Sequence, residues 1–113
     1  MYAVIFEVEP KPDCKDEYLD IAATLRQDLE NMDGFISIER FQSLTTEGKL
    51  LSLSFWRDEA AVVGWRNQSK HRRAQDKGYN DLFENYRLRV VEVQRDYTKT
   101  DRAEAPQESP ARK

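Results

Sequence analysis

The residues of this chain with the greatest capacity for chemistry lie in one stretch, Ser54 to Gln75, which reads SFWRDEAAVVGWRNQSKHRRAQ. It contains both tryptophans, Trp56 and Trp65, and the only histidine, His71. An indole can form the wall of a pocket for an aromatic molecule, and an imidazole exchanges a proton near neutral pH. The stretch predicts either a small-molecule site or, in the simpler alternative, the buried face of a helix beside a solvated one.

The spacing of these residues predicts a helix that begins at Asp58, a favourable N-cap residue. Trp65 shares one face of that helix with Ala61, Val62 and Ser69, since residues three and four apart are neighbours. His71 lies about 120° around the helix from Trp65. Its face is small and polar and includes Gly64, Asn67 and Gln75. This second face lines a pocket if the helix bends after Trp65, and it is solvated if the helix stays straight.

The sequence lacks the motifs that bind common cofactors. Four glycines, at positions 34, 48, 64 and 78, form no dinucleotide-binding or Walker A loop. One histidine and one distant cysteine, Cys14, cannot assemble a zinc or iron site of recognised spacing. No pair of carboxylates and no serine–histidine spacing marks a catalytic centre. We therefore expect no bound metal and no cofactor, and any chemistry must need few protein groups.

Charge and composition exclude several classes of partner. The chain has 18 basic and 21 acidic residues and a net charge of −3, which gives no electrostatic case for nucleic acid. The basic cluster from Lys70 to Arg73 is flanked by acidic residues and is typical of a solvated helix face. No apolar run reaches the ~20 residues that span a bilayer, so we expect no membrane partner. A single cysteine and a strand-like N-terminus favour the cytoplasm.

Hydrophobic periodicity predicts six elements in the order strand, helix, strand, strand, helix, strand. They are a strand from Tyr2 to Val8, a helix capped at Asp13, a hairpin of Phe35–Gln42 and Lys49–Trp56, a helix from Asp58 towards Gly78, and a strand from Tyr86 to Tyr97. This order predicts an α+β fold of the ferredoxin-like, split βαβ type, in which two helices cover one face of a four-stranded antiparallel sheet. Residues 1–97 form the domain. Residues 98–113 have two prolines and no large apolar side chain, and we expect a disordered tail there.

The other face of the sheet is also predicted to be covered. In the first strand Tyr2, Val4, Phe6 and Val8 alternate with Ala3 and Ile5, so both faces carry apolar residues, whereas a solvated face should be polar. A second copy of the same sheet is the simplest cover, which predicts a homodimer through the sheet face. Arg87, Arg89 and Arg95 alternate along the last strand and lie on one side of it, where they pair with acidic residues across the sheet or one of them points into a cleft.

One pattern of residues resembles a known family. A strand ending in SFW, a helix starting DEA, Trp65 nine residues after Trp56, then SKH and the closing strand YRLRVVEV are similar to the antibiotic biosynthesis monooxygenase (ABM) family, from Met1 to about Tyr97. The resemblance implies a dimeric α+β barrel. In some members it also implies oxygenation of aromatic substrates such as anthrones or quinols without metal, flavin or haem.

The resemblance also suggests roles for individual residues. Trp65 would pack on the aromatic substrate. His71 would accept a proton from the substrate or donate a hydrogen bond to the substrate oxyanion, and Asn67 would orient the substrate. Trp56 and Gln75 complete the expected substrate-binding set. The leading hypothesis is thus a cofactor-independent monooxygenase for a small aromatic or quinol substrate.

Two alternatives stay open. The same cleft would serve a non-catalytic dimeric module that binds a small molecule. Haem degradation, the activity of a sister group, is disfavoured because Gln75 stands where those enzymes have a histidine ligand and the first strand has no asparagine. His71, one turn before Gln75, prevents a complete exclusion of haem binding.

Overall fold

The protein is a four-stranded antiparallel sheet covered on one face by two helices. A computed structural model describes the backbone of residues 1–75 and 79–107 and the side chains of residues 1–69 and 81–107. Its strands and α-helices are β1 (Tyr2–Pro10), α1 (Lys15–Glu30), β2 (Phe35–Gln42), β3 (Leu50–Trp56), α2 (Glu59–Gln75) and β4 (Phe83–Glu92). The order across the sheet is β2-β3-β1-β4. The predicted ferredoxin-like α+β fold is therefore confirmed.

The largest boundary difference from the sequence prediction is at β4, which was expected from Tyr86 to Tyr97 but spans Phe83–Glu92. β4 lies at the edge of the sheet beside β1, and Glu92 stands opposite Tyr2. One further bond joins the Val93 N–H to the Met1 carbonyl at 2.9 Å. β1 begins at Tyr2, so its ladder with β4 ends there, and the residues that follow Val93 are mainly polar.

The two helices begin differently. α2 has the predicted cap, because the Asp58 carboxylate accepts a hydrogen bond from the Ala61 N–H at 2.9 Å. This bond, followed by that from the Arg57 guanidinium, lowers the pKa of Asp58. α1 starts at Lys15, after a short 3-10 turn over Pro12–Cys14, and has no side-chain cap. The cap predicted at Asp13 is therefore wrong, since that residue lies within the preceding turn.

A close contact fixes the start of α2 against the end of α1. Gly34 has a φ of +85°, and a Cβ atom there would lie 2.6 Å from the Ala61 Cβ. Arg57, between β3 and α2, donates its N–H to the Gly34 carbonyl at 2.8 Å and binds the Asp33 carboxylate with both terminal nitrogens, at 3.1 and 2.9 Å. This loop requires glycine, and it sets the position from which α2 crosses the sheet.

Strand alternation separates the residues that face the helices from those on the outer face. Tyr2, Val4, Phe6 and Val8 of β1 pack into the core beneath the helices. By the cross-strand register, the outer face carries Ala3, Ile5, Leu51, Leu53, Phe55 and Val91. Apolar residues thus occupy both faces of the central strands, as the sequence predicted.

The segment after β4 forms neither helix nor strand as far as residue 107. Local contacts occur within it: the Asp96 N–H donates to the Glu104 carboxylate at 2.7 Å, and the Arg102 guanidinium lies 4.9 Å from the Tyr97 ring centroid. The domain boundary at Tyr97 and the disorder of residues 98–113 stay predictions.

Candidate active site

A cavity of about 170 Å³ lies between the two helices and the sheet. All four strands and both helices contribute to its lining, which is mostly apolar. Leu88 and Val90 of the edge strand β4 line it and are 51% and 45% exposed, so the cavity opens towards that edge. Its size suits a small organic molecule and is below the roughly 300–1,000 Å³ of sites for drug-sized ligands.

The cavity divides the hydrophobic core. One cluster of buried residues includes Tyr18 and Ala22, a second includes Leu29 and Val62, and the cavity is lined by residues of both. An unfilled apolar hollow of this volume costs up to about 4 kcal/mol of stability at about 24 cal/mol per Å³, an upper bound because the cavity opens to solvent. A core under selection for stability alone would fill it.

One wall of the cavity is a stacked pair of tryptophans. Trp65 lines the cavity, and its ring lies 6.2 Å from that of Trp56 with an interplanar angle of 25°. Trp56 is fully buried, donates its indole N–H to the Ser54 hydroxyl at 2.9 Å, and meets the Phe35 ring edge-on at 5.4 Å. Trp56 therefore supports Trp65, which presents a rigid indole to any molecule in the cavity.

A polar cluster of Arg40, Tyr18 and Ser52 interrupts the apolar lining. Arg40 of β2 stands opposite Ser52 of β3 in the sheet. Burial raises the pKa of the Tyr18 phenol, and the charge of Arg40 and its hydrogen bond to the phenol oppose that rise. The Tyr18 hydroxyl thus keeps its proton at neutral pH and is available as a hydrogen-bond donor.

The Arg40 guanidinium carries an unmet hydrogen-bonding group. Its Nε atom is buried and has no hydrogen-bond partner in the part of the chain that the structure describes. Leaving a buried donor unsatisfied costs about 1–3 kcal/mol, and more for a charged group. Because no water-sized molecule reaches Nε, a ligand in the cavity meets other atoms of Arg40, whose positive charge no carboxylate of the described lining balances.

Of the five site residues predicted from the sequence, only Trp65 and Trp56 are placed at the cavity by the described side chains. Trp65 lines the cavity and Trp56 lies directly behind it. Asn67 is exposed and is not part of the cavity lining. The backbone of His71 and Gln75 belongs to α2, but their side chains lie outside the described residues. The roles predicted for all five stay predictions.

Sequence reasoning did not single out the polar cluster. In the sequence Tyr18 is one of the apolar residues on one face of α1, where an aromatic ring usually serves burial, and nothing in that pattern indicates a role for its hydroxyl. Arg40 lies two residues after Ile38, so strand alternation places both side chains on the same face of the sheet. This spacing was an available signal that Arg40 faces the helices. It was weak because the register shifts between Phe35 and Ser37, so alternation from the start of β2 assigns the wrong face to the residues that follow.

The arginines of β4 do not reach the cavity. Arg89 forms an ion pair with Glu7 on the outer face of the sheet, and Lys49 approaches the same carboxylate at 2.7 Å. The first of the two alternatives left open by the sequence is therefore confirmed for Arg89. The hydrogen bonds from Lys49 and then Arg89 lower the pKa of Glu7.

The described residues contain neither a metal-binding cluster nor a membrane-spanning helix. No group of three or more His, Cys, Asp or Glu side chains among them is arranged to hold a metal ion. None of the helices in the described ranges has the length and apolar character needed to cross a membrane.

The protein is thus an α+β protein with a ferredoxin-like sheet and an open cavity beneath its two helices. Residues 1–77 match the family model of the antibiotic biosynthesis monooxygenases, and the chain belongs to this family. The resemblance noted in the sequence is thereby confirmed.

One relative is close in sequence. Over 93 residues, 82% of this chain, the protein is 52% identical to a protein of Pyricularia oryzae named jasmonate monooxygenase ABM. The matched region spans only 43% of that relative's length.

Solved structures of low sequence identity share the fold. Rv0793 from Mycobacterium tuberculosis has a TM-score of 0.74 and 17% identity, over 86% of this chain and 98% of that one. A variant of SnoaB, a cofactor-independent oxygenase from Streptomyces nogalater, has a TM-score of 0.70 and 9% identity, over 84% of this chain and 94% of that one. At these identities the likeness supports the fold alone.

Proposed function

We propose that the protein is a monooxygenase that uses O₂ to oxidise a small organic molecule held in the cavity between the helices and the sheet. The observation that carries this proposal is the cavity itself, an apolar hollow with the rigid indole of Trp65 on its wall and a cationic polar cluster within it. Membership of a family with monooxygenase-named relatives supports the reaction class.

The chemistry needs little from the protein if the substrate supplies the electrons. A methylene group flanked by aromatic rings, as in an anthrone, loses a proton to give an electron-rich carbanion that reduces O₂ directly. The carbon is oxidised from CH₂ to C=O, one oxygen atom is incorporated, and the other leaves as water, so R₂CH₂ + O₂ gives R₂C=O + H₂O. The protein then has to hold the substrate, remove one proton and stabilise the anion.

This chain has a candidate for each task. Trp65 and the apolar lining hold a flat substrate, and the positive charge of Arg40 favours its anionic form. His71, on α2, is the proposed proton acceptor. Exclusion of water by the apolar lining strengthens the electrostatic effect of Arg40 on any anion bound beside it.

Two kinds of substrate are reasonable candidates. The reaction above applies to anthrones. A quinol ionises at its hydroxyl instead, and its oxidation to a hydroxyquinone, C₆H₆O₂ + O₂ giving C₆H₄O₃ + H₂O, also incorporates one oxygen atom and releases the other as water. The name of the Pyricularia oryzae relative adds a second kind, a ring ketone with an apolar chain and a carboxylate. Either fits a cavity that is mostly apolar and contains one cationic cluster.

Oxygen uptake tests the proposal. Purified protein is expected to consume O₂ with anthrone, a hydroquinone or jasmonate, and His71→Ala is expected to slow turnover by at least about tenfold. Gln27→Ala, at an exposed position of α1 outside the cavity lining, is the control and should leave turnover unchanged. Tight binding with no O₂ uptake on any of these compounds would reject the monooxygenase and favour the non-catalytic binding module.

The protein is also proposed to form a two-fold dimer through the outer face of the sheet. Ile5, Leu53 and Phe55 lie on this face, and Phe41 and Val91 beside them are 42% and 37% exposed. A face this apolar is unusual for an antiparallel sheet in water, and a second copy of the same face would cover it.

A further inference from the structure

The cavity carries positive charge without a compensating carboxylate in its lining. Its charged lining residues in the described part of the chain are Arg40 and Arg66, and no Asp or Glu lines it. Arg66 is exposed and stands at the opening, whereas Arg40 is half-buried and its Nε is fully shielded. A neutral apolar ligand would leave this charge uncompensated.

Arg40 differs from other arginines of the chain in its partners. Arg57 binds Asp33 through two hydrogen bonds, Arg89 pairs with Glu7, and Arg26 pairs with Glu30 one helical turn away. All three are exposed, where an ion pair contributes little. Arg40 lines the cavity beside the Tyr18 phenol, and no carboxylate of the described lining balances its charge. Keeping the positive charge of an arginine in such a position costs free energy unless a ligand provides the opposite charge.

We propose that the physiological ligand of the cavity is a monocarboxylate with an apolar body, and that Arg40 is the group that binds its carboxylate. Arg40 donates to the two carboxylate oxygens, and the Tyr18 hydroxyl, which keeps its proton, provides a further donor. The apolar body then lies against the lining that includes Phe6, Leu88 and the Trp65 indole.

The form of the site favours a carboxylate over a phosphate or sulfate ester. A guanidinium matches the planar fork of a carboxylate, and Arg40 is the half-buried cation of the described lining, whereas Arg66 is exposed to solvent, which screens its charge. A phosphate monoester carries a charge of nearly two and needs several donors, while the rest of this lining is mostly apolar. The inference rests on the proposed function only in taking the cavity as the substrate site.

Paired acids and esters test the proposal by equilibrium binding, which is independent of turnover. The probes are 1-naphthylacetate with its methyl ester, and jasmonate with methyl jasmonate, titrated calorimetrically into the full chain. Each ester keeps the apolar body and removes the charge. We expect each acid to bind at least about tenfold more tightly than its ester, the effect of a hydrogen bond to a charged group.

Variants assign the preference to Arg40. Arg40→Gln, which can still hydrogen-bond to Tyr18, should bring the acid-to-ester ratio close to one. Arg40→Lys should keep part of the preference, because it retains the charge but not the planar fork. Arg26→Gln, on the exposed side of α1 and 54% exposed, is the matched control and should bind as the wild type does.

The outcomes separate this inference from the proposed function. Equal binding of acid and ester, no binding of either acid, or a preference that survives in Arg40→Gln would overturn it. So would binding of a hydroquinone that depends on Arg40 in the absence of acid binding, because Arg40 would then serve the reacting oxyanion. An acid preference without O₂ uptake keeps the inference and rejects the monooxygenase, and O₂ uptake without an acid preference does the reverse.

Discussion

Filling the cavity should stabilise the protein and abolish its function together. Ala22, on α1, is 4% exposed and lines the cavity. Ala22→Leu adds three carbon atoms to the hollow, and each buried methylene contributes about 0.8 kcal/mol, which sets a ceiling of about 2.4 kcal/mol. Allowing for imperfect packing of the new side chain, we expect a gain of about 1–2 kcal/mol in the free energy of unfolding.

The neighbouring residue provides the control. Ala23 is exposed on the same helix, so Ala23→Leu makes the same chemical change, with the same helix-propensity cost, outside the cavity. Chemical denaturation measures both variants, and in thermal denaturation each kcal/mol corresponds to about 4–8 °C in Tm for a domain of this size. Ligand affinity should fall by at least about tenfold in Ala22→Leu alone, because the added side chain occupies the space of the ligand.

The opposite signs of the two effects make the experiment decisive. A destabilised Ala22→Leu variant would show that the core around α1 is already filled. A stabilised variant that binds and turns over substrate as the wild type does would show that the hollow exists but is not the site. Either result would refute the reasoning that connects the divided core to function.

Three further predictions concern the rest of the fold. Ser54→Ala should lower the free energy of unfolding by about 1–3 kcal/mol, because it leaves the Trp56 indole N–H unsatisfied. In a double-mutant cycle measured by denaturation, Ser54→Ala combined with Trp56→Phe should cost less than the sum of the single changes. Strict additivity would mean that the 2.9 Å bond contributes nothing. The pKa of Glu7 is lowered on folding, so the stabilising effect of its carboxylate is present above the unfolded pKa of about 4.5 and is lost as the pH falls through the folded pKa. Glu7→Gln should therefore reduce the free energy of unfolding at neutral pH and flatten the decrease of this free energy in acid. A stability–pH profile parallel to that of the wild type would contradict this. Leu53→Lys, on the outer sheet face, should convert a dimer into a monomer in light scattering, whereas Leu19→Lys, on exposed α1, should not; a monomeric wild type would remove the dimer.

The fold could be predicted almost completely because each element carries its own periodic signal. The bounds of β2 agree with the sequence prediction, and the cap at Asp58 is confirmed by its hydrogen bond to the Ala61 N–H. The end of β4 could not be predicted, because it depends on the register of β4 against β1, in which Glu92 stands opposite Tyr2, the first residue of β1. Strand propensity alone extended that strand to Tyr97.

The site could be predicted only in part, because a cavity is a property of several elements together. The spacing of α2 gave Trp65 its position on the inner face, and the structure places it on the cavity wall. Arg40 comes from a different element, β2, and reaches the same cavity only through the register of β2 on β3. A bulge near Phe35 hides that register from alternation. The alternation of Arg40 with Ile38 was the available signal, and alternation counted from Phe35 contradicts it.

The most direct test of the central claim is a crystal structure of the protein grown with 1-naphthylacetate. The account predicts the ligand in the cavity beneath α1 and α2, with its carboxylate within about 2.7–2.9 Å of the Arg40 guanidinium. A cavity closed by side chains, or Arg40 paired with a carboxylate of the protein and the ligand bound elsewhere, would contradict it.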